Sequence, residues 1–265
     1  MPLRAHCQSL AGFAQPVSEA FFFGPNNQQV FGTYHPPLGG SGPVLTVICP
    51  PLFHEYMRTH FALRALADSL AQRGQHVLRV DYRGTGDSFG ELGEVTISDW
   101  VEDIALAVRE GRDLCGSSVV RLLGVRAGAL LACCSAGASS DVQRLVLWDP
   151  VPDGAVYLQA LRRIQVAILE NDLALSDAER RATLHEYAGY RISGRMRDEF
   201  RQLGASAYSR VPKHKLHIVS TSPEAAVPEV AQEVAHFACE WETVLDELMI
   251  PNPVLERLSA CLTLS

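Results

Sequence analysis

Several protein classes are excluded by what this chain does not contain. An uninterrupted run of about 18 apolar residues, the least a membrane-spanning helix needs, occurs nowhere, so no membrane span is expected. The seven cysteines, at 7, 49, 115, 133, 134, 239 and 261, form no C-x-x-C pair and are odd in number, which argues against a zinc ribbon and a disulfide framework. They fit a reducing compartment. Basic residues are scattered and outnumbered, 23 against 30 acidic, for a net charge of -7; no phosphate-tracking groove and no nucleic-acid partner are expected. No HExxH or Walker sequence is present, and GTGDSFG (84–90) lacks the strand-turn-helix setting and spacing of GxGxxG, so neither a metal nor any other cofactor is inferred. MPLRAHCQSLAGFAQPVSEAFFFG, residues 1–24, has no continuous apolar core ahead of a small-residue cleavage site, and the expected location is cytoplasmic. Internal repeats and low-complexity tracts are also missing.

What remains is ordinary globular material, 47% hydrophobic and 20% charged, and its order along the chain is informative. Residues 18–23 and 29–35 read as two strands joined by the turn-rich GPNNQ, an antiparallel opening pair. VLTVIC (44–49) is apolar throughout, as a strand covered on both faces must be, and stops at Pro50-Pro51. A helix from Tyr56 to Arg73 follows, with Phe61, Leu63, Leu66, Ala67 and Leu70 in a mostly i, i+3, i+4 pattern and Gly74 as its stop. HVLRVD (76–81) is the next strand, residues 98–114 the next helix with Ser98 as N-cap, and 117–124 and 144–149 two further buried strands. Strand and helix alternating at this rhythm predict an α/β fold with a mainly parallel, doubly covered sheet. After Asp149-Pro150 the rhythm breaks. Residues 153–204 hold three helix-like stretches and no strand, which reads as a helical cap insertion into a core formed by residues 1–152 and 205–265. Strands at 215–222 and 230–238 and a helix at 251–262 complete the chain.

Three segments carry a likeness to a known superfamily: CPPLFHEYMRTHFALRALADSLAQRGQHVLRVDYRGTGDS (49–88), LLGVRAGALLA (122–132) and LVLWDPVPDGAVYLQAL (145–161). With the order of elements around them, they resemble the α/β-hydrolase superfamily, and within it the serine-aminopeptidase-like hydrolases and the exosortase-associated branch. The resemblance is carried by residues 28–165. It implies an α/β-hydrolase fold with a nucleophile elbow at Gly124–Gly128, where superfamily members place a Ser, Cys or Asp nucleophile. Here the elbow residue is Arg126.

A guanidinium stays protonated and has no lone pair to attack an acyl carbon, so a triad centred on Arg126 is excluded. Two uses are open to it. It can pair internally with a carboxylate, Asp149 being nearest by topology, or it can hold the carboxylate or phosphate of a bound ligand. The elbow's position predicts that the amides of Leu52, Phe53 and Ala127 face such a ligand. His54-Glu55 could hold a water between an acid and a base, although Glu55 reads more simply as the first-turn charge of the helix. His236 is the one histidine near the place the superfamily uses for its base, but the alternation of Val230, Gln232, Val234 and His236 favours a packed strand residue. Ser88 in the DxRGxGxS-type loop and Cys133, Cys134 and Ser135 along the elbow helix read as structural. Tyr157, Leu158, Leu161, Ile164, Ile168 and Leu175 are spaced as an apolar stripe, either the wall of an acyl pocket or the packing face of the cap. The expected function is therefore a hydrolase-like protein without Ser-His-Asp catalysis, binding a small acyl or anionic ligand or a protein partner. The alternative is an active hydrolase of ester, thioester or amide bonds using Asp149 or His54-Glu55 in place of a serine.

Overall fold

The computed structural model describes residues 18–38, 40, 42–138, 141–171, 175–204, 206–221, 232–234, 239–242 and 248–264. Eight strands form one sheet: β1 (Glu19–Phe23), β2 (Val30–His35), β3 (Val44–Cys49), β4 (His76–Asp81), β5 (Val119–Val125), β6 (Val142–Trp148), β7 (Leu216–Ser220) and β8 (Gln232–Val234). Their spatial order is β1-β2-β4-β3-β5-β6-β7-β8. β2 runs antiparallel to both β1 and β4, and every other neighbouring pair is parallel. The antiparallel opening pair and mainly parallel sheet match the α/β architecture expected. Of the strand predicted at 230–238, only β8 lies within the described residues.

Two apolar cores lie on opposite faces of the sheet. Helix α1 (His54–Gln72) and the C-terminal helix α8 (Asn252–Thr263) cover one face, where Leu63, Leu66 and Leu70 meet Val77, Val146, Leu258 and Leu262. Helices α2 (Ile97–Cys115) and α3 (Ala127–Gly137) cover the other. Truncating a fully buried leucine in such a core, for instance Leu66, costs about 2–5 kcal/mol. Phe61, counted above with the buried stripe of α1, is instead 50% exposed.

The ends of α2 show how local chemistry sets element boundaries. Its N-cap is Thr96 and not Ser98: the Thr96 hydroxyl accepts from the Asp99 N–H while the Asp99 carboxylate accepts from the Thr96 N–H, a reciprocal capping box. Gly116, at φ 64°, ends the helix in the left-handed region.

Between β6 and β7 the chain forms α4 (Gly154–Asn171), α5 (Asp177–Thr183), α6 (Gly194–Gln202) and the single turn α7 (Ser206–Ser209). Tyr157, Leu158, Leu161 and Ile164 of α4 are buried in the same core as α2, α3 and the sheet, and Ile168 is partly covered there. None of the six described cysteines forms a disulfide. Among the described residues no helix is long and apolar enough to cross a membrane.

Candidate functional site

The sharp turn from β5 into α3 is built by what two positions lack. A Cβ on Gly124 would lie 2.6 Å from the Ala129 Cα, and one on Gly128 would lie 2.2 Å from the Pro50 carbonyl oxygen. Glycine alone lets strand, helix and the loop after β3 meet this closely. Arg126 between them adopts φ 53°, ψ -123°, a conformation that costs a non-glycine residue about 1–3 kcal/mol. Its N–H donates to the Trp148 carbonyl at 3.0 Å, and its own carbonyl accepts from the Ala129 N–H at 3.0 Å. Phe53, before α1, repeats nearly the same backbone at φ 55°, ψ -131°. The two strained residues thus stand at the C-terminal ends of adjacent strands.

Arg126 folds inward, onto a carboxylate other than the one expected. Its Nε donates to Glu55 Oε1 at 3.0 Å and its Nη1 to the backbone carbonyl of Asp149 at 3.0 Å. The guanidinium carbon lies 4.9 Å from the centre of the Trp241 ring, a cation–π contact. Burial opposes the positive charge, but Glu55, helped by Tyr157 and Asp149, outweighs it and raises the Arg126 pKa above its ordinary value.

The expected ion pair between Arg126 and the Asp149 side chain is therefore corrected to Arg126–Glu55. Asp149, at φ 42°, turns its carboxylate the other way. That group accepts from the Thr221 N–H at 2.6 Å, the Thr221 hydroxyl at 2.5 Å, the Trp241 indole N–H at 2.8 Å and the Ser220 hydroxyl at 3.3 Å. Four donors saturate it, leaving only its backbone oxygen for arginine.

Both oxygens of Glu55 are also engaged, each by a single donor. Its second oxygen, Oε2, accepts from the Tyr157 hydroxyl at 3.1 Å, and that hydroxyl lies 3.3 Å from the Leu52 carbonyl. Burial, then the negative charge of Glu55, pushes the Tyr157 pKa well up, so the phenol keeps its proton and acts as donor. Glu55 does stand in the first turn of α1, but its charge is spent on Arg126 and Tyr157. His54 faces elsewhere, with its Nε2 3.1 Å from the Trp241 carbonyl and its Nδ1 buried without a hydrogen-bond partner among the described residues. The two side chains bond to different groups, Glu55 to Arg126 and Tyr157 and His54 to the Trp241 carbonyl, and no hydrogen bond joins them among the described residues. Among the described residues no histidine bonds to Glu55 or Asp149. His236 lies outside the described residues.

Leu52, Phe53 and Ala127, at 2%, 6% and 1% exposure, are themselves buried at the turn. The Phe53 ring packs among Trp100, Tyr157, Tyr190 and Phe200, which joins α1, α2, α4 and α6 above the sheet edge. The DxRGxGxS-type loop is held from within. Ser88 donates to the Asp81 carbonyl at 2.6 Å and accepts from the Phe31 N–H at 2.8 Å, and Arg83 binds Asp103 with both its backbone N–H, at 2.9 Å, and its Nε, at 2.5 Å. Cys133, Cys134 and Ser135 are buried along α3. Sequence reasoning missed Trp241 and Thr221 entirely, since neither sits in a recognisable motif. Tyr157 was visible only as part of an apolar stripe, its hydroxyl's partner being far away in sequence.

With this geometry established, comparison with known proteins identifies the lineage. A family model described as serine aminopeptidase, S33, matches residues 51–184, about half of the chain. The chain belongs to the serine aminopeptidase S33 family. Among curated proteins, none matches the sequence. Solved structures similar to this family member include Est1E from Butyrivibrio proteoclasticus with ferulic acid bound, at 16% identity and TM-score 0.60, the match covering 92% of this chain and 96% of that one. An alpha-beta serine hydrolase homologue from Coxiella burnetii is 18% identical at TM-score 0.53, covering 92% and 95%. DcsB, solved with a substrate analogue, is 16% identical at TM-score 0.56, covering 93% and 98%. At these identities the likenesses establish the α/β-hydrolase fold and nothing about chemistry.

Proposed function

We propose that this family member has kept the hydrolase architecture and given up covalent acyl transfer, and that it serves as a binding or accessory protein in a biosynthetic pathway. Under this reading the β5–α3 turn is the former nucleophile elbow, and residues 153–204 are a helical cap on a core of residues 1–152 and 205–265. One observation carries the reading: the residue at the tip of the turn is a cation locked onto Glu55, the Asp149 carbonyl and the Trp241 ring. A nucleophile must be deprotonated and free to reach substrate, and Arg126 is neither. The same contacts weigh against a ligand-binding role for Arg126, because Nε, Nη1 and the ring-facing surface are already satisfied by protein. An active hydrolase using Glu55 or Asp149 as base is disfavoured too, since Asp149 is saturated by four donors and Glu55 is held by the Arg126 cation on one oxygen and the Tyr157 hydroxyl on the other.

The test is covalent labelling with a fluorophosphonate, which reports any activated serine. No label is expected on the purified protein, and none on the variant Arg126→Ser, which is also expected not to turn over nitrophenyl esters. Labelling of a serine in the unmodified chain would overturn the proposal. Rapid ester turnover by Arg126→Ser would show that a working base survives beside the turn.

A further inference from the structure

A second chemically distinctive place lies away from the turn, in a cleft of about 470 Å³ between the N-terminal half of α1 and the C-terminal end of β4. That is within the size range of small-molecule sites, about 300–1,000 Å³. Its walls are apolar and open to solvent: Met57, Phe61 and Leu248 are 65%, 50% and 55% exposed. Single exposed apolar residues are commonplace, but three around one concavity are not scattered by chance over the surface.

Arg79 lines the cleft, between Thr33 of β2 and Ile48 of β3 in the sheet register. Its only side-chain hydrogen bond among the described residues is from Nε to His35 Nε2, at 3.2 Å. Because that nitrogen accepts, His35 carries its proton on Nδ1, which donates to Asp68 Oδ1 at 2.8 Å. The neutral state agrees with a His35 pKa lowered by burial and by Arg79. The chain Asp68–His35–Arg79 therefore holds the guanidinium in place through a neutral group and leaves both Nη nitrogens without a protein acceptor among the described residues. The closest acid along the strand, Asp81, forms no ion pair with it: its carboxylate accepts from the Tyr56 hydroxyl at 2.5 Å and the Asp87 N–H at 3.2 Å. A partly buried guanidinium oriented from behind, its forked face unpaired among the described residues, suits carboxylate recognition.

His60 adds a second polar group to the same cleft. It lies edge-on to Tyr56 and Phe61 and has no hydrogen-bond partner among the described residues. Burial and then Arg79 lower its pKa, so at neutral pH it offers one donor and one acceptor. Asp81 and Asp87 also line the cleft, and their negative charge repels a dianion such as a phosphate monoester more than a monoanion.

We propose that this cleft binds an amphiphilic monocarboxylate, its carboxylate on the Nη nitrogens of Arg79 and its hydrocarbon chain along Met57, Phe61 and Leu248. The site does not depend on the chemistry of Arg126, so its failure would leave the reading of the β5–α3 turn untouched. The test is calorimetric titration of the full chain with decanoate, decanol and decyltrimethylammonium. Decanoate is expected to bind saturably, one per chain, and at least about tenfold more tightly than decanol, the scale of a lost charge-assisted hydrogen bond. Two variants should each weaken decanoate at least about tenfold. Arg79→Gln keeps a donor for His35 but removes the charge; Phe61→Glu changes an exposed wall residue, so its melting temperature should match the parent's. Absence of saturable decanoate binding, equal affinity for decanol, preference for the ammonium, or unchanged binding in a folded Phe61→Glu would each overturn the proposal.

Discussion

Replacing Glu55 with glutamine asks whether the ion pair, and not packing alone, holds the β5–α3 turn together. The substitution conserves volume and leaves an oxygen for Tyr157, but it removes the charge facing Arg126 Nε at 3.0 Å. The two side chains are 2% and 13% exposed, so water cannot take the carboxylate's place. Breaking a pair at this depth costs about 3–5 kcal/mol, because the remaining charge stays buried. Arg126 keeps the Asp149 carbonyl and the Trp241 ring, which places the expected loss at the lower end, about 3 kcal/mol. For a chain of this length, each kcal/mol moves the midpoint by about 2–4 °C, so melting followed by circular dichroism should fall by about 6–12 °C. The double variant Glu55→Gln, Arg126→Met should recover most of that loss, since replacing both members of a buried pair is often near neutral. The reasoning fails if Glu55→Gln melts within about 2 °C of the parent, or if the double variant is no more stable than the single one.

Backbone crowding and a buried acid give two further expectations. Gly128→Ala would drive a methyl group into the Pro50 and Cys49 carbonyl oxygens, at 2.2 and 2.7 Å, and should cost about 3 kcal/mol or more in thermal unfolding. Gly93→Ala, where a Cβ meets nothing within 4 Å, should be nearly neutral, and equal effects at the two sites would refute the steric argument. Burial lifts the Asp103 carboxyl to about 6 despite its bonds to Arg83. Because the folded value lies above the unfolded one, about 3.9, the folded chain takes up this proton first as pH falls, and the group favours folding more at pH 4–5 than at pH 7. Urea midpoints of the parent should therefore gain on those of Asp103→Asn between pH 7 and pH 5; a change of opposite sign would refute the assignment.

How much could be read from the chain depended on the range of the interaction. β3 lies at the predicted residues 44–49, because a strand covered on both faces is largely apolar along its length and is here stopped by Pro50-Pro51; β4 lies at the predicted 76–81 although it carries His76, Arg79 and Asp81 among its apolar residues. Helix boundaries shifted by a residue or two where two capping residues compete, as Thr96 and Ser98 do ahead of α2. Phe61 was assigned to a buried face by spacing alone, and spacing does not say how wide the covered stripe is.

The candidate site divides the same way. The steric need for Gly124 and Gly128, and the inability of arginine to act as a nucleophile, are properties of residue types and of a short motif, so the sequence alone determined both. Arg126's partner was a different matter. Asp149 and Glu55 both stand next to the turn, and the choice between them rests on which carboxylate other donors have already filled. Thr221 and Trp241 saturate Asp149, while Tyr157 leaves Glu55 one oxygen to give. Those donors come from three distant parts of the chain. Only folding brings them within bonding distance, and hydrogen-bond saturation is a property of the assembled site that no local pattern encodes.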